Sequence, residues 1–278
     1  MVGEGVIPLL MHDGRHIFAF SRKASDRKTE AGLTWLQLDA LLPSYSATPQ
    51  IRDWLCVAPI WVLPQYFSMI ERHGACRVVA LSSTSRFTKT GSSDAAENAV
   101  ALRLAEGEAR LRAWAESKGV EWVVLRPTLI YGRGRDKNIA EIARFVGRFG
   151  FFPLLGKAMG LRQPIHAEDV AAACMSALRA PVAANRAYNL SGGETLPYRE
   201  MVRRVFAAMQ RRPRLVTIPL AAFKFTVACL RVFPRYRYWS AAMAERMNRD
   251  LVFDHADAAR DLGFSPRPFR LTIEDVPR

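Results

Sequence analysis

Small hydroxyl and proline residues follow two apolar runs of the sequence. Ser82, Ser83 and Thr84 end the first run, and Pro127 and Ile130 end the second. If the runs are neighbouring parallel strands, these residues face one crevice, because ligands of open α/β sheets bind beyond the carboxyl ends of the strands. There a hydroxyl can hydrogen-bond a polar substrate group, and a proline can pack on a flat ring. The alternative is structural, with a turn after one strand and a cap after the other.

Basic residues offer a second kind of chemistry, the binding of anions. Arg22 and Lys23 directly follow an earlier apolar run, and a basic pair at such a place can hold a phosphate. Arg133 and Arg162 are single arginines near later runs, and a guanidinium can grip an anionic group with two parallel hydrogen bonds. A solvated turn for the pair and a surface role for the single arginines are the alternatives.

The elements that must position these residues alternate between strands and helices. Short apolar runs and helical patterns follow one another over the first two thirds of the chain, which predicts a parallel sheet wrapped by helices. Gly119 is the expected C-cap of the longest helix. The predicted strands are 16–21, 34–38, 53–58, 77–82, 120–125 and 163–166, and the predicted helices are 3–13, 64–73, 94–118, 138–149 and 167–179. We expect the strand 163–166 to belong to the main sheet.

Composition narrows the class of protein. The chain has 278 residues, of which 50% are hydrophobic and 24% charged, with a net charge of +14. These values exclude a disordered chain, and no apolar run reaches the 18 to 20 residues, roughly, of a membrane span. Its 4 Cys are far apart and form no CxxC pair, so neither a zinc site nor a disulfide framework is predicted. We expect a reducing, cytoplasmic setting.

The positive charge does not indicate nucleic acid as the partner. The sequence contains no zinc-finger, RNA-binding aromatic or helix-turn-helix pattern, and an anionic small ligand or an anionic membrane surface explains the excess equally well. Residues 220–238 mix apolar and basic side chains, so they could lie on such a membrane. The alternative for this stretch is a lid over the substrate site.

Four stretches in this order resemble the extended short-chain dehydrogenase/reductase family, in its branch of NAD(P)-dependent nucleotide-sugar epimerases and dehydratases. The stretches are VVALSSTS (78–85), EWVVLRPTLIYGRG (121–134), RQPIHAEDVAAA (162–173) and YNLSGGETLPYREMV (188–202). The resemblance implies an α/β fold with a doubly wound, Rossmann-like parallel sheet. It implies an NAD(P)-binding domain at 1–155 and a smaller mixed α/β substrate lobe at 156–278, with 163–179 returning to the first domain.

The resemblance also implies ligands and site residues. The cofactor is NADP or NAD, and the basic Arg22 slightly favours NADP, because NAD-binding proteins usually carry an acid there. Asp39 corresponds to the position that approaches the adenine, and Ala58 to a position where the backbone packs close to the pyrophosphate. Arg133 and Arg162 would hold the diphosphate of a nucleotide-linked sugar. A homodimer is a further expectation.

The N-terminus departs from the family pattern. The family begins with a strand and a turn of the type TGATGxxG, and Gly3 aligns with the last glycine of that turn. The strand that should precede it is central in a doubly wound sheet, so its absence would leave both neighbouring strands with unpaired backbone groups. We therefore expect Met1 to be internal to the natural protein. A decayed gene, or a lineage that fills the gap differently, is the alternative.

The catalytic pair departs from the pattern as well. The family uses a Tyr as general base four residues before a Lys, whereas this chain has Val100 and Leu104 at those positions and contains no YxxxK at all. Thr84 matches the catalytic Ser/Thr, but a hydroxyl alone does not replace the base. Two functions follow: an epimerase or oxidoreductase with an unidentified base, or a catalytically inactive cofactor-binding subunit of a larger complex.

Overall fold

The computed structural model describes residues 1–22, 29–38, 49–90, 92, 94–221 and 241–277, with side chains left out at 241–244. The helices are α1 (Val2–His12), α2 (Phe67–Arg72), α3 (Ser85–Thr88), α4 (Ala95–Lys118), α5 (Ile139–Phe149), α6 (Ala167–Arg179), α7 (Tyr198–Ala208), α8 (Ala241–Asn248) and α9 (Ala256–Leu262). The strands are β1 (Ile17–Ser21), β2 (Leu33–Gln37), β3 (Asp53–Cys56), β4 (Arg77–Leu81), β5 (Glu121–Pro127), β6 (Ile130–Tyr131), β7 (Phe152–Leu155), β8 (Leu161–Arg162), β9 (Ile165–His166), β10 (Arg186–Leu190), β11 (Leu196–Pro197) and β12 (Leu215–Ile218). Short 3-10 helices cover Ile60–Tyr66, Pro181–Ala183 and Ile273–Asp275.

A parallel sheet of four strands, in the order β10-β5-β4-β3, forms the centre of the fold. Every residue of β4 is buried, as expected for a strand covered by helices on both faces. One face packs on α1 and α6, and the opposite face packs on α2, α4 and the 3-10 helix Ile60–Tyr66. This confirms the predicted α/β class.

A separate parallel ribbon contains β1 and β2, which pair from Ile17 opposite Leu33 to Ser21 opposite Gln37. In the described part of the chain no ladder joins β1 to β3, so the ribbon and the main sheet are two sheets.

The longest helix, α4, begins and ends at well-defined caps. The Asp94 carboxylate accepts the N–H of Ala96, and Gly119 ends the helix with φ +65°, in the left-handed conformation that glycine adopts most readily. These caps fix where α4 begins and ends.

The C-terminal part has a core of its own, built around α5, α7 and the pair β7–β12. The expectation for 163–166 was wrong: β9 is only Ile165–His166 and pairs with β6 rather than with the main sheet. After Pro127 the chain leaves the main sheet and forms β6, and β9 pairs with β6 there. Helix α6, which follows β9, packs on the main sheet.

Candidate active site

A cavity of about 1020 Å³ opens along the carboxyl edge of the sheet and continues between β1 and β3. Five of the residues predicted from the sequence line it: Gly3, Ala58, Ser82, Pro127 and Ile130. They come from α1, the segment after β3, the segment after β4, the end of β5, and β6. The parallel topology therefore brings together residues that are up to 127 positions apart in the sequence, from Gly3 to Ile130.

The other two predicted hydroxyl groups bond to the backbone. Thr84 is 5% exposed, and its Oγ1 donates to the carbonyl of Pro127 at 3.3 Å. The Ser83 Oγ accepts the backbone N–H of Ser85 at 3.1 Å. The Thr84 hydroxyl thus ties the start of α3 to the end of β5, and the Ser83 hydroxyl stabilises the turn itself.

Glu108 is a buried carboxylate bonded to the cavity-lining Ser82, and the sequence analysis missed it. It is 5% exposed, and its Oε1 accepts the Ser82 hydroxyl at 2.5 Å. Arg126 donates to Glu108 from Nη2 at 2.6 Å and from Nε at 3.1 Å, and Arg86 forms a second ion pair with it. Because the hydroxyl of Ser82 has only one hydrogen, it can only accept a hydrogen bond from a ligand.

Phe87 contacts both arginines. We call the group of Ser82, Arg86, Phe87, Glu108 and Arg126 the Glu108 cluster. The guanidinium of Arg126 lies 5.3 Å from the ring centroid and that of Arg86 lies 5.6 Å from it, within the range of cation–π contacts. Burial lowers the pKa of Arg126. One signal in the sequence could have found the cluster, since Glu108 follows Val100 and Leu104 at intervals of four residues, on one face of the predicted helix.

The positions aligned with the family's Tyr and Lys are apolar and face the core. Leu104 is 4% exposed, and Val100 packs against the same cluster, formed with α2 and the inner face of the sheet. Within the described residues, this helix face therefore supplies Glu108 as its only buried ionisable group.

The two predicted diphosphate ligands lie in different surroundings. Arg133 donates to Glu4 in the first turn of α1 at 3.3 Å, next to Arg135, which donates at 2.8 Å. Arg162 is 4% exposed, and its guanidinium donates to the carbonyls of Leu161, Arg246 and Arg249. Burial lowers the pKa of Arg162 to about 10.

The structure describes only some of the residues that were expected near the adenosine part of the cofactor. Arg22 is exposed, and its carbonyl accepts the side-chain amide of Gln37 at 2.8 Å. Lys23, Asp39 and most of 220–238 lie outside the described residues.

Comparison with known proteins agrees with this arrangement. Residues 66–191, which hold β4, α4, β5, α6 and β10, match the NAD dependent epimerase/dehydratase family. Over these residues the chain resembles that family. The predicted resemblance to nucleotide-sugar epimerases is thereby confirmed.

Two curated relatives extend the comparison. A UDP-glucose 4-epimerase of Vibrio cholerae is 25% identical over 178 residues, which make up 64% of this chain and 52% of that protein. The NADH dehydrogenase (ubiquinone) 1 alpha subcomplex subunit 9, mitochondrial, of Arabidopsis thaliana is 27% identical over 155 residues, 55% of this chain and 34% of that protein. The chain therefore spans about half of the first relative and about a third of the second.

Among solved structures, MoeE5 in complex with UDP-glucose and NAD is 18% identical, with a TM-score of 0.67, and the match covers 96% of this chain and 90% of that one. At this identity the likeness establishes the fold. In the described ranges, every helix is too short or too polar to cross a membrane.

Proposed function

We propose that this chain binds NAD or NADP at the carboxyl edge of its sheet, as a protein of the nucleotide-sugar epimerase type. The observation that carries the proposal is the cavity of about 1020 Å³ that brings Gly3, Ala58, Ser82, Pro127 and Ile130 together. The relatives support it, since one is a UDP-glucose 4-epimerase and the structure of MoeE5 contains UDP-glucose and NAD.

The residues at the start of α1 fit a dinucleotide. No side chain caps the first turn of α1, so its N–H groups are available to a pyrophosphate, which the helix dipole also favours. Arg133 contacts Glu4 in this turn, which supports it as a ligand for the diphosphate of a nucleotide-linked sugar. Pro127 and Ile130 would pack on the nicotinamide, and Ser82 would accept a hydrogen bond from the ligand. When bound, the cofactor supplies hydride transfer.

Arg22 favours NADP over NAD. Its side chain is exposed directly after β1, where it can pair with a 2′-phosphate on the adenosine ribose. A lower Kd for NADPH than for NADH supports this preference, and equal values contradict it.

A second candidate function is a non-catalytic cofactor-binding subunit. At the positions of the family's Tyr base and Lys, this chain has Val100 and Leu104, whose apolar side chains pack in the core. The hydroxyl of Thr84 is bonded to the carbonyl of Pro127. The resemblance to a subunit of mitochondrial NADH dehydrogenase points the same way. A nucleotide-linked sugar is the substrate class if the chain is an enzyme.

Thermal melting with and without dinucleotide tests the proposed cofactor site. NADH or NADPH at a hundredfold excess over Kd should stabilise the folded chain by about 2.7 kcal/mol. Ala58→Phe places a ring in the cavity and should remove this stabilisation, while Ala113→Phe, at an exposed position of α4, should keep it. A wild-type melting temperature that dinucleotide does not change contradicts the proposal.

Product formation separates the two candidate functions. An enzyme should convert UDP-glucose or another nucleotide sugar into a new product, followed by chromatography, at a rate proportional to protein concentration. An epimerase returns its hydride to the sugar and leaves the nicotinamide absorbance unchanged overall, whereas a net oxidoreductase also changes that absorbance. A subunit should bind the dinucleotide and form no product.

A further inference from the structure

A row of phenylalanine rings runs from the C-terminal core to the surface. Phe152, at the start of β7, is buried in that core, and its ring centroid lies 5.5 Å from that of the half-buried Phe145 on α5. The Phe145 centroid in turn lies 4.6 Å from that of Phe149 and 5.8 Å from that of Phe151. Because Phe149 and Phe151 are 52% and 37% exposed, the outer half of the row faces water.

Strand β12 and the loop before it extend this apolar surface. Val216 of β12 pairs with Pro153 of β7 and is 48% exposed. Arg211 donates from Nη1 to the carbonyls of Val146 and Gly147, at 3.0 and 3.2 Å, which holds the loop against the last turn of α5. Grouped exposed apolar side chains of this kind mark interaction sites more often than single ones do.

Arginines flank the exposed rings. The Arg148 guanidinium lies 5.4 Å from the ring centroid of Phe149. The Arg214 carbonyl accepts the N–H of Phe152, which places Arg214 beside Phe151. We call this group the Phe149 surface, and its side chains, all exposed, are those of Phe149, Phe151, Val216, Arg144, Arg148, Arg212 and Arg214.

Few acidic side chains offset this charge. Residues 141–159 and 207–219 include one acid, Glu141, which precedes Phe149 by two turns of α5, or about 12 Å. The same residues include six basic side chains, those of Arg144, Arg148, Lys157, Arg211, Arg212 and Arg214. On the neighbouring α7, Glu200 pairs with Arg203 and Arg204. The Phe149 surface is therefore positive as well as apolar.

This combination fits the boundary between lipid headgroups and hydrocarbon. Aromatic rings enter that boundary to a depth of about 5–10 Å, while arginines keep their guanidinium groups at the level of the phosphates. A second copy of the chain fits less well, because a symmetric contact would bring the same basic surface against itself.

We propose that the Phe149 surface docks the chain onto an anionic phospholipid membrane, with the rings of Phe149 and Phe151 inserted among the headgroups and the arginines paired with lipid phosphates. The proposal uses none of residues 220–238. None of its residues lines the proposed cofactor cavity, so the two sites are independent.

Co-sedimentation of the full chain with vesicles tests the apolar part of the surface. Wild type should pellet with phosphatidylcholine vesicles that contain about 30% phosphatidylserine and stay in solution with phosphatidylcholine alone. The double variant Phe149→Ser/Phe151→Ser should lower the partition coefficient by about tenfold or more. The matched control is Leu102→Ser/Val182→Ser, at positions 60% and 52% exposed, and it should pellet like wild type.

A second pair of variants tests the charges. Arg212→Gln/Arg214→Gln should weaken vesicle binding by about fivefold for each charge removed. Arg103→Gln/Arg110→Gln removes two exposed charges from α4 and should change binding by less than about twofold, because salt screens charges that lie more than about 10 Å from the membrane. Phe149→Trp should bind at least as well as wild type, since Trp also favours the membrane interface.

Four outcomes overturn the proposal. Equal pelleting of wild type with both kinds of vesicle, or with neither, is one. Wild-type binding by Phe149→Ser/Phe151→Ser is another, and equal losses for the two arginine pairs would assign the binding to the charge of the whole chain. The fourth is a wild-type dimer in size-exclusion chromatography that the phenylalanine variant dissociates, which would assign the surface to a second copy. The phenylalanine variant should keep its stabilisation by NADH, so the two proposals can fail separately.

Discussion

Glu108 determines what the hydroxyl of Ser82 can do. Because the carboxylate takes the only hydroxyl hydrogen of Ser82 and is itself bonded to Arg126 and Arg86, none of these groups is free to take a proton from a substrate. The cluster therefore positions the strand end and does not replace the missing general base. At the scale of single residues, the polar groups at this edge of the sheet stabilise one another.

Glu108→Gln should lower the free energy of unfolding by about 3 kcal/mol, because it leaves two guanidinium groups without their counter-charge in a buried setting. Urea unfolding at neutral pH measures the change. Glu106→Gln is the matched control, since Glu106 is 69% exposed and 4.0 Å from Arg110; it should stay within about 0.5 kcal/mol of the wild type. A loss below about 1 kcal/mol for Glu108→Gln would contradict the role given to the cluster.

At the scale of elements, local patterns predicted most helices and strands. The helix 94–118 and its end at Gly119 follow from capping residues and composition, and the structure has Ala95–Lys118. The partner of β9 could not be predicted, because a two-residue strand carries no periodic signal. The Glu108 cluster joins residues 18 and 26 positions apart in the sequence, and such contacts depend on how α4 packs, which periodicity does not fix.

Substitution by alanine at two helical glycines should change the free energy of unfolding in opposite directions. A Cβ at Gly107 in α4 would lie 3.0 Å from the Trp61 nitrogen and 3.1 Å from the Ile60 carbonyl carbon, so Gly107→Ala should destabilise the chain by about 1–3 kcal/mol. A Cβ at Gly147 in α5 would meet only the end of Met209, at 3.7 Å. Gly147→Ala should then stabilise by up to about 1 kcal/mol through helix propensity. Chemical unfolding of both variants checks this, and a stabilising Gly107→Ala would show that α4 is not pressed against residues 60–61.

At the scale of the whole molecule, the buried side chains of the described residues form three clusters, two on the faces of the main sheet and one in the C-terminal part. Tyr131 is fully buried in the C-terminal core, where its ring meets Phe269 and His166 edge to face. Burial, followed by the nearby carboxylates of Asp275 and Asp169, raises the pKa of Tyr131 to about 12. The folded chain therefore keeps this phenol neutral at a pH where the unfolded chain ionises it.

Stability should consequently fall on the alkaline side. A group with a raised pKa in the folded state contributes stability that is present below its unfolded pKa of about 10 and is lost as the pH rises towards 12. Each such group makes the free energy of unfolding fall by at most about 1.4 kcal/mol per pH unit in this range. Tyr131→Phe should reduce the slope of unfolding free energy between pH 10 and 11 relative to the wild type, measured by urea titration. Identical slopes would contradict the assignment.

The contacts of Arg77, at the start of β4, affect how the chain folds during its synthesis on the ribosome. Its Nη1 donates to the carbonyls of Ala177, Leu178 and Ala180 at the end of α6, which is translated about 100 residues later. At about 5–20 residues per second, roughly 5–20 s separate the two. By the end of that time β3, β4 and β5 have been made, while α6, which with α1 covers one of their faces, has not. The nascent chain thus exposes an apolar surface that a chaperone can bind until α6 arrives.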